Sequence, residues 1–138
     1  MAFENKLAAV LNEKIPLGRA MNALAHMALG LGHVVPNPER LELIDYPDAD
    51  GKSHKLVSKI PFIVLKANGT QLRKLREAAL EKGIAAVDFP DTLIQDSWQE
   101  QLARTAQKNE SELTYFGVCL FGPWEEVTEL TRKFSLWR

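Results

Sequence analysis

The chain has 138 residues, 46% of them hydrophobic, the size and composition of one domain with a sizeable core, so residues 1–138 are expected to form a single domain. A quarter of the residues are charged and the formal net charge is −1, which excludes a disordered tail and a chain that binds nucleic acid by bulk charge. The lone Cys119 rules out an internal disulfide, and no apolar run has the length of a membrane span or the form of a leader, so a soluble cytoplasmic protein with no membrane partner is expected.

In chain order, "NKLAAVLNE" (5–13) is a short apolar run read as a buried strand, and "KIPLG" is a strand-to-helix loop with Pro16 near the helix start. The first helix spans roughly 18–31, ended by Gly30 and Gly32 and then by the two prolines of "VVPNPE". "RLELIDY" (40–46) is at best an edge strand, and "PDADG" reads as a turn. "KIPFIVLKA" (59–67) is a continuous β-branched and aromatic run, the pattern of a strand buried on both faces. "NGTQLRKLREAALEKG" carries Leu72, Leu75, Ala79 and Leu80 on one helical face and stops at Gly83. "IAAVDF" is a further strand, "DSWQEQLARTAQKN" (96–109) a helix on an excursion, "ELTYFGVCLFG" (112–122) the next strand, and "PWEEVTELTRKF" the last helix. Strands alternating with helices predict an α/β fold with its sheet covered on both sides.

Charge is unevenly distributed. Residues 52–82 hold eight Lys or Arg against Glu77 and Glu81, whereas residues 83–112 hold six Asp or Glu against Arg104 and Lys108. The basic segment either attracts an anionic partner or is a solvated helix face with loop lysines. No dinucleotide, P-loop, serine-hydrolase or zinc-protease motif occurs, and no cofactor is expected. His26 and His33 lie seven apart, too far for the i, i+4 metal pair, so no metal is expected either. Cys119 sits mid-strand without a basic neighbour and reads as a buried, inert thiol.

The feature that invites chemistry is in the first helix. "GRAMNALAHMALGLGH" (18–33) is apolar almost all the way round, yet at 100° per residue Arg19, Asn22, His26, Gly30 and His33 fall on one narrow stripe. Because this helix follows the first strand, Arg19 in its first turn is expected at a crevice beside the strand's carboxyl end, with Asn22 and His26 lining the wall beyond it. Bland alternatives stand beside this reading: Arg19 and Asn22 as the solvated side of the helix, and His26 as a hydrogen-bonded core histidine.

Taken with the order of elements, "G-R-x-x-x-x-x-A-H" (Gly18, Arg19, Ala25, His26), "IPFIVLKA", "IAAVDFPD" and the closing "YFGVCLFGPWEEVTELTRKFSLWR" resemble the peptidyl-tRNA hydrolase II superfamily over nearly the whole chain. The "YPDADG" turn, the strand before it and the extra residues between Asp91 and Glu112 look most like a bacterial branch of that superfamily, the domain of unknown function 2000. The resemblance implies a three-layer α/β/α sandwich on a mixed sheet of about four strands, and a homodimer, to which the aromatic "KFSLWR" end would contribute.

Position by position, the family's lysine after the glycine is here Arg19, and its glutamine three residues before the histidine is Ala23. Its aspartate corresponds to Asp91, followed by Thr92, but the remainder of that segment is replaced by "LIQDSW" and an insertion. Arginine stays protonated near neutral pH and cannot serve as a general base. Two functions follow. In one, Gly18, Arg19, Asn22 and Thr92 hold a small anionic ligand without efficient turnover. In the other, Arg19, His26 and Asp91 are the catalytic set of a hydrolase acting on peptidyl-tRNA or a related acyl ester, with the basic 52–82 segment as the charge support for tRNA. Asp91 has a bland reading as a turn or cap residue, and Trp124 and Trp137 read as core or dimer contacts.

Overall fold

The computed structural model describes residues 3–138. In chain order the elements are β1 (Asn5–Asn12), α1 (Leu17–Val34), β2 (Leu43–Pro47), β3 (Ser53–Ser58), β4 (Phe62–Ala67), α2 (Gly69–Glu81), β5 (Ala85–Pro90), α3 (Trp98–Ala106), β6 (Tyr115–Pro123), α4 (Trp124–Thr131) and β7 (Ser135–Leu136). Five strands form one mixed sheet in the order β5-β6-β1-β4-β7. In it β1 and β4 run parallel, and the other neighbours are antiparallel.

β1 and β6 occupy the middle because both faces of each are apolar. Along β1, Leu7, Ala9 and Leu11 enter one core cluster with Ala20, Ala23 and Met27 of α1. Ala8 and Val10 enter the other, with Leu72 and Leu75 of α2 and Val127 of α4. The period-two alternation of a strand thus divides the core between the two faces of the sheet. α2 is started by a reciprocal capping box in which the Asn68 side chain accepts from Gln71 N while the Gln71 side chain accepts from Asn68 N.

The fold differs from the sequence expectation at four places. The main sheet has five strands instead of about four, because Ser135–Leu136 pairs with Leu65 and Lys66 of β4. β4 begins at Phe62 and is not buried on both faces: Leu65 and Ala67 are buried on the α2 side, Val64 and Lys66 on the other are only half-buried, and Phe62 is exposed. The 40–46 segment does not edge this sheet: Leu43–Pro47 pairs with Ser53–Ser58 in a separate two-stranded ribbon. α1 runs through both glycines to Val34, and Gly30 marks close packing, with Val87 Cγ1 3.5 Å from where a Cβ would stand.

One irregularity shapes the site. β5 pairs Phe89 with Gly117 but Pro90 with Tyr115, so β6 carries an extra residue at Phe116. Proline has no N–H to donate to a ladder, and a bulge there accommodates it. The bulge turns Phe116 to the α1 side, where its ring stacks 5.9 Å from Phe89. Gly117 beside it lets α1 and β1 pack close, since a Cβ would stand 2.7 Å from Met27 Cε, 2.9 Å from Leu11 Cδ2 and 3.1 Å from Val10 O.

Candidate ligand-binding site

α1 meets the sheet with a narrow stripe of Ala20, Ala23, Met27 and Leu31. Beside that stripe, on the flank facing β5, a cavity of about 440 Å³ opens. Gly18, Arg19, Asn22 and His26 line it from α1, Phe89 from β5, and Leu93, Ile94, Gln95, Trp98 and Gln101 from the loop before α3 and from α3 itself. The stripe seen in the sequence therefore divides. Its first three polar residues face the cavity, Gly30 packs on Val87, and His33 is exposed away from it.

Arg19 is the charged group of this cavity, and no carboxylate lines it. Five arginines in the described residues are half-buried: Arg19, Arg40, Arg73, Arg76 and Arg104. Four of them donate to protein oxygens: Arg40 to Asn5, Arg73 to Glu110, Arg76 to Asp88, and Arg104 to Asp96 and the backbone. Arg19 alone has no side-chain acceptor among the described residues. The local backbone adds to the field, because α1 starts after Pro16 with no side-chain cap and no acidic residue in its first turn. An uncapped helix N-terminus presents unpaired N–H groups and partial positive charge.

The opposite wall is built from an irregular loop. Gln95 and Asp96 have φ of 58° and 65°, the left-handed region that non-glycine residues seldom adopt. Arg104 of α3 holds this shape by donating to the Thr92 and Ile94 carbonyls and to the Asp96 carboxylate, while Gln101 donates to the Gln95 carbonyl. α3 is capped by Ser97, which accepts from Glu100 N, and it has no buried residue. Trp98, though it lines the cavity, is 68% exposed. Phe89, Trp98, Gln101 and Arg104 do not stand out in the sequence by any motif. The one available signal was a tryptophan opening an otherwise polar helix directly after a serine cap.

The remaining candidates are placed differently from the first three. The Asp91 carboxylate accepts from Thr114 N at 3.3 Å, and Asp91 N donates to Thr114 O, which ties the end of β5 to the start of β6. Thr92 is buried, its hydroxyl hydrogen-bonded to Thr105 Oγ1 at 2.7 Å. Neither lines the Arg19 cavity. His26 is exposed, with its ring tilted 38° and 5.8 Å from Phe89. The reading of His26 as a buried core histidine is thereby corrected: the buried stripe of α1 passes one residue to its side, through Met27.

Away from the cavity the titratable groups are largely committed. Burial pushes the Cys119 thiol up to about 12, as its place in β6 implied. On the α2 side, Tyr115 Oη donates to Glu110 Oε2 at 2.7 Å, and Arg73 donates to the same oxygen at 2.6 Å. The Tyr115 hydroxyl lowers the Glu110 carboxyl, and burial together with Glu110 raises Tyr115 to about 12. Arg76 closes on Asp88 at 2.8 Å. The basic 52–82 segment thus spends both helical arginines on the acidic 83–112 segment. Among the described residues no three His, Cys, Asp or Glu side chains gather as a metal set, and no helix is long and apolar enough to cross a membrane.

A sheet of this order with a cationic cavity at the start of α1 defines an α/β protein whose family can be tested by comparison. The family of proteins of unknown function DUF2000 matches residues 5–138, and the chain belongs to it. Among solved structures it is similar to a protein of unknown function from Agrobacterium tumefaciens strain C58, at 17% identity and a TM-score of 0.84, covering 99% of this chain and 100% of that one. That likeness is one of fold. No curated protein matches the chain.

Proposed function

We propose that the α1 cavity is a binding site for a small anionic ligand, with Arg19 as its anchor and Gly18 and Asn22 beside it. One observation carries this reading: among the described residues Arg19 is the half-buried arginine without an acceptor, in a cavity that no carboxylate lines. An anion there would gain charge-assisted hydrogen bonds from the guanidinium and the favourable end of the helix dipole. Calorimetric titration of sulfate, phosphate and short carboxylates into the wild type and Arg19→Gln tests it. Saturable binding that the substitution abolishes is expected, and equal affinity in both proteins would overturn the reading.

The α1 and α2/α4 clusters on opposite sides of the sheet support a single domain of three α/β/α layers, and with it the resemblance to peptidyl-tRNA hydrolase II. The second reading, hydrolysis of peptidyl-tRNA or a related acyl ester by Arg19, His26 and Asp91, has this resemblance in its favour. Against it stand Asp91 and Thr92, engaged with Thr114 and Thr105, and Ala23, buried against the sheet where the family has a glutamine. A hydrolysis assay on peptidyl-tRNA is expected to give little or no turnover, and robust turnover abolished by Arg19→Ala would reverse the order of the two readings.

The homodimer proposal moves to another surface. The C-terminal segment is engaged within the chain, with Trp137 N donating to Val64 O, whereas Leu43, Leu56, Val57 and Phe62 line an open apolar groove beside the β2–β3 ribbon. A second copy seated there would cover those side chains. Light scattering should give twice the 15.5 kDa chain mass, and Leu56→Asp should return the monomer.

A further inference from the structure

The cavity offers more than a cationic anchor. Phe89, itself stacked on Phe116, contributes a buried ring, and His26 is tilted against it. Trp98 contributes a second aromatic surface and remains 68% exposed, although burying an indole is among the largest apolar gains a side chain offers. A tryptophan held open on a helix with no buried residue, and turned to line a cavity, is a surface awaiting a flat partner. Asn22, Gln95 and Gln101 add side-chain amides, each able to donate and accept.

We propose that the ligand is an anion carried on a planar ring, an aryl or heteroaryl carboxylate or phosphate, with its charge at Arg19 and its ring against Trp98. This rests on the reading of Arg19 as the anion anchor and narrows it. An aliphatic anion satisfies Arg19 but leaves Trp98 uncovered. A neutral aromatic covers Trp98 but leaves the guanidinium without a counter-charge as water is displaced. A cationic aromatic meets Arg19 with like charge and finds no carboxylate to pair with. At about 440 Å³ the cavity lies within the usual range of small-molecule sites, with room for one or two fused rings.

The test is a set of paired titrations followed by calorimetry: benzoate against acetate, phenyl phosphate against inorganic phosphate, and benzamide as the uncharged ring. Each aromatic anion should bind about tenfold or more tighter than its partner lacking the ring, the size expected of one well-placed stacking contact, and benzamide should bind more weakly than benzoate. In Trp98→Ala the ratio between ring-bearing and bare anion should collapse towards one. In Arg19→Gln both members of each pair should lose affinity. The stronger of the two aromatic anions identifies the carboxylate or the phosphate class. Acetate equalling benzoate and phosphate equalling phenyl phosphate in the wild type, or an unchanged ratio in a folded Trp98→Ala protein, would overturn the ring while leaving the anion anchor standing. Absence of binding by every anion would instead overturn the anchor.

Discussion

Arg73 and Arg76 on one face of the sheet and Arg19 on the other are placed in opposite ways. On the α2 face, Arg73 and Arg76 close on Glu110 and Asp88, and their guanidinium groups lie 5.5 and 5.7 Å from the Tyr115 ring. On the α1 face, Arg19 reaches a cavity where aromatic rings and amides surround it and no acid does. On the α2 face both helical arginines are answered inside the chain. On the α1 face Arg40 and Arg104 are answered as well, and Arg19 has no acceptor among the described residues. A basic residue count along the sequence cannot separate these cases, because the acids that answer Arg73 and Arg76 lie 12 to 37 residues further on.

This contrast can be broken at its strongest point by Gly117→Ala. The new Cβ would press on the ends of the Met27 and Leu11 side chains and on the Val10 carbonyl, so the packing between α1 and β1 must rearrange. Overpacking of this kind costs about 2 kcal/mol. A fall in denaturant midpoint with unchanged slope is expected, together with loss of anion affinity. If stability is kept, α1 is not seated as tightly as the geometry requires.

Tyr115→Phe tests the closed face. It removes the hydroxyl shared with Glu110 and should cost about 1–2 kcal/mol near neutral pH, measured by chemical denaturation. It should also change the alkaline limb. A tyrosine raised to about 12 in the folded state contributes stability that is complete below its unfolded value of about 10 and is lost as pH rises from there through 12. The wild type should therefore destabilise over that interval, and Tyr115→Phe should do so less. Parallel pH profiles would show that the hydroxyl is not held as described.

The smallest effects on stability are expected on the open face. His26→Ala removes an exposed ring and one contact with Phe89, and should cost less than about 1 kcal/mol. Arg19→Ala breaks no side-chain hydrogen bond among the described residues and should shift stability by less than about 0.5 kcal/mol. A melting temperature that falls by several degrees for Arg19→Ala would move Arg19 from the ligand's side of the comparison to the fold's.

Much of the fold is legible in the sequence where one physical signal dominates. The apolar runs of β1 and β6 require burial on both faces, and the 3.6-residue spacing of Leu72, Leu75 and Ala79 requires an amphipathic α2. The ribbon is not legible because Ser53–Ser58 has weak alternation and pairs only with Leu43–Pro47. β7 is too short for any periodic signal, and Gly30 lies inside α1 beside Val87, a neighbour 57 residues away. Of the candidate site, the helical half was visible because it lies on one periodic element. Phe89 follows the alternation of Ala85 and Val87 along β5, but Gln95, Trp98 and Gln101 were not visible, because they are brought to the cavity by a left-handed loop and an arginine strap, both of them tertiary arrangements.

The missing buried residue in α3 has a thermodynamic consequence for whatever enters the cavity. A nine-residue helix is marginal by itself, and this one is retained by Arg104, Gln101 and Thr105 gripping the 92–96 loop without a hydrophobic anchor. If the proposed ligand fills the cavity, folding of α3 and occupation of the cavity would be linked equilibria. Apparent affinity would scale with the fraction of molecules in which α3 is docked, and a ligand touching Trp98 would draw that fraction upward by the same factor with which the helix strengthens its binding. Amide hydrogen exchange across 92–106 would read this coupling directly, with slowing confined to that segment as the cavity fills.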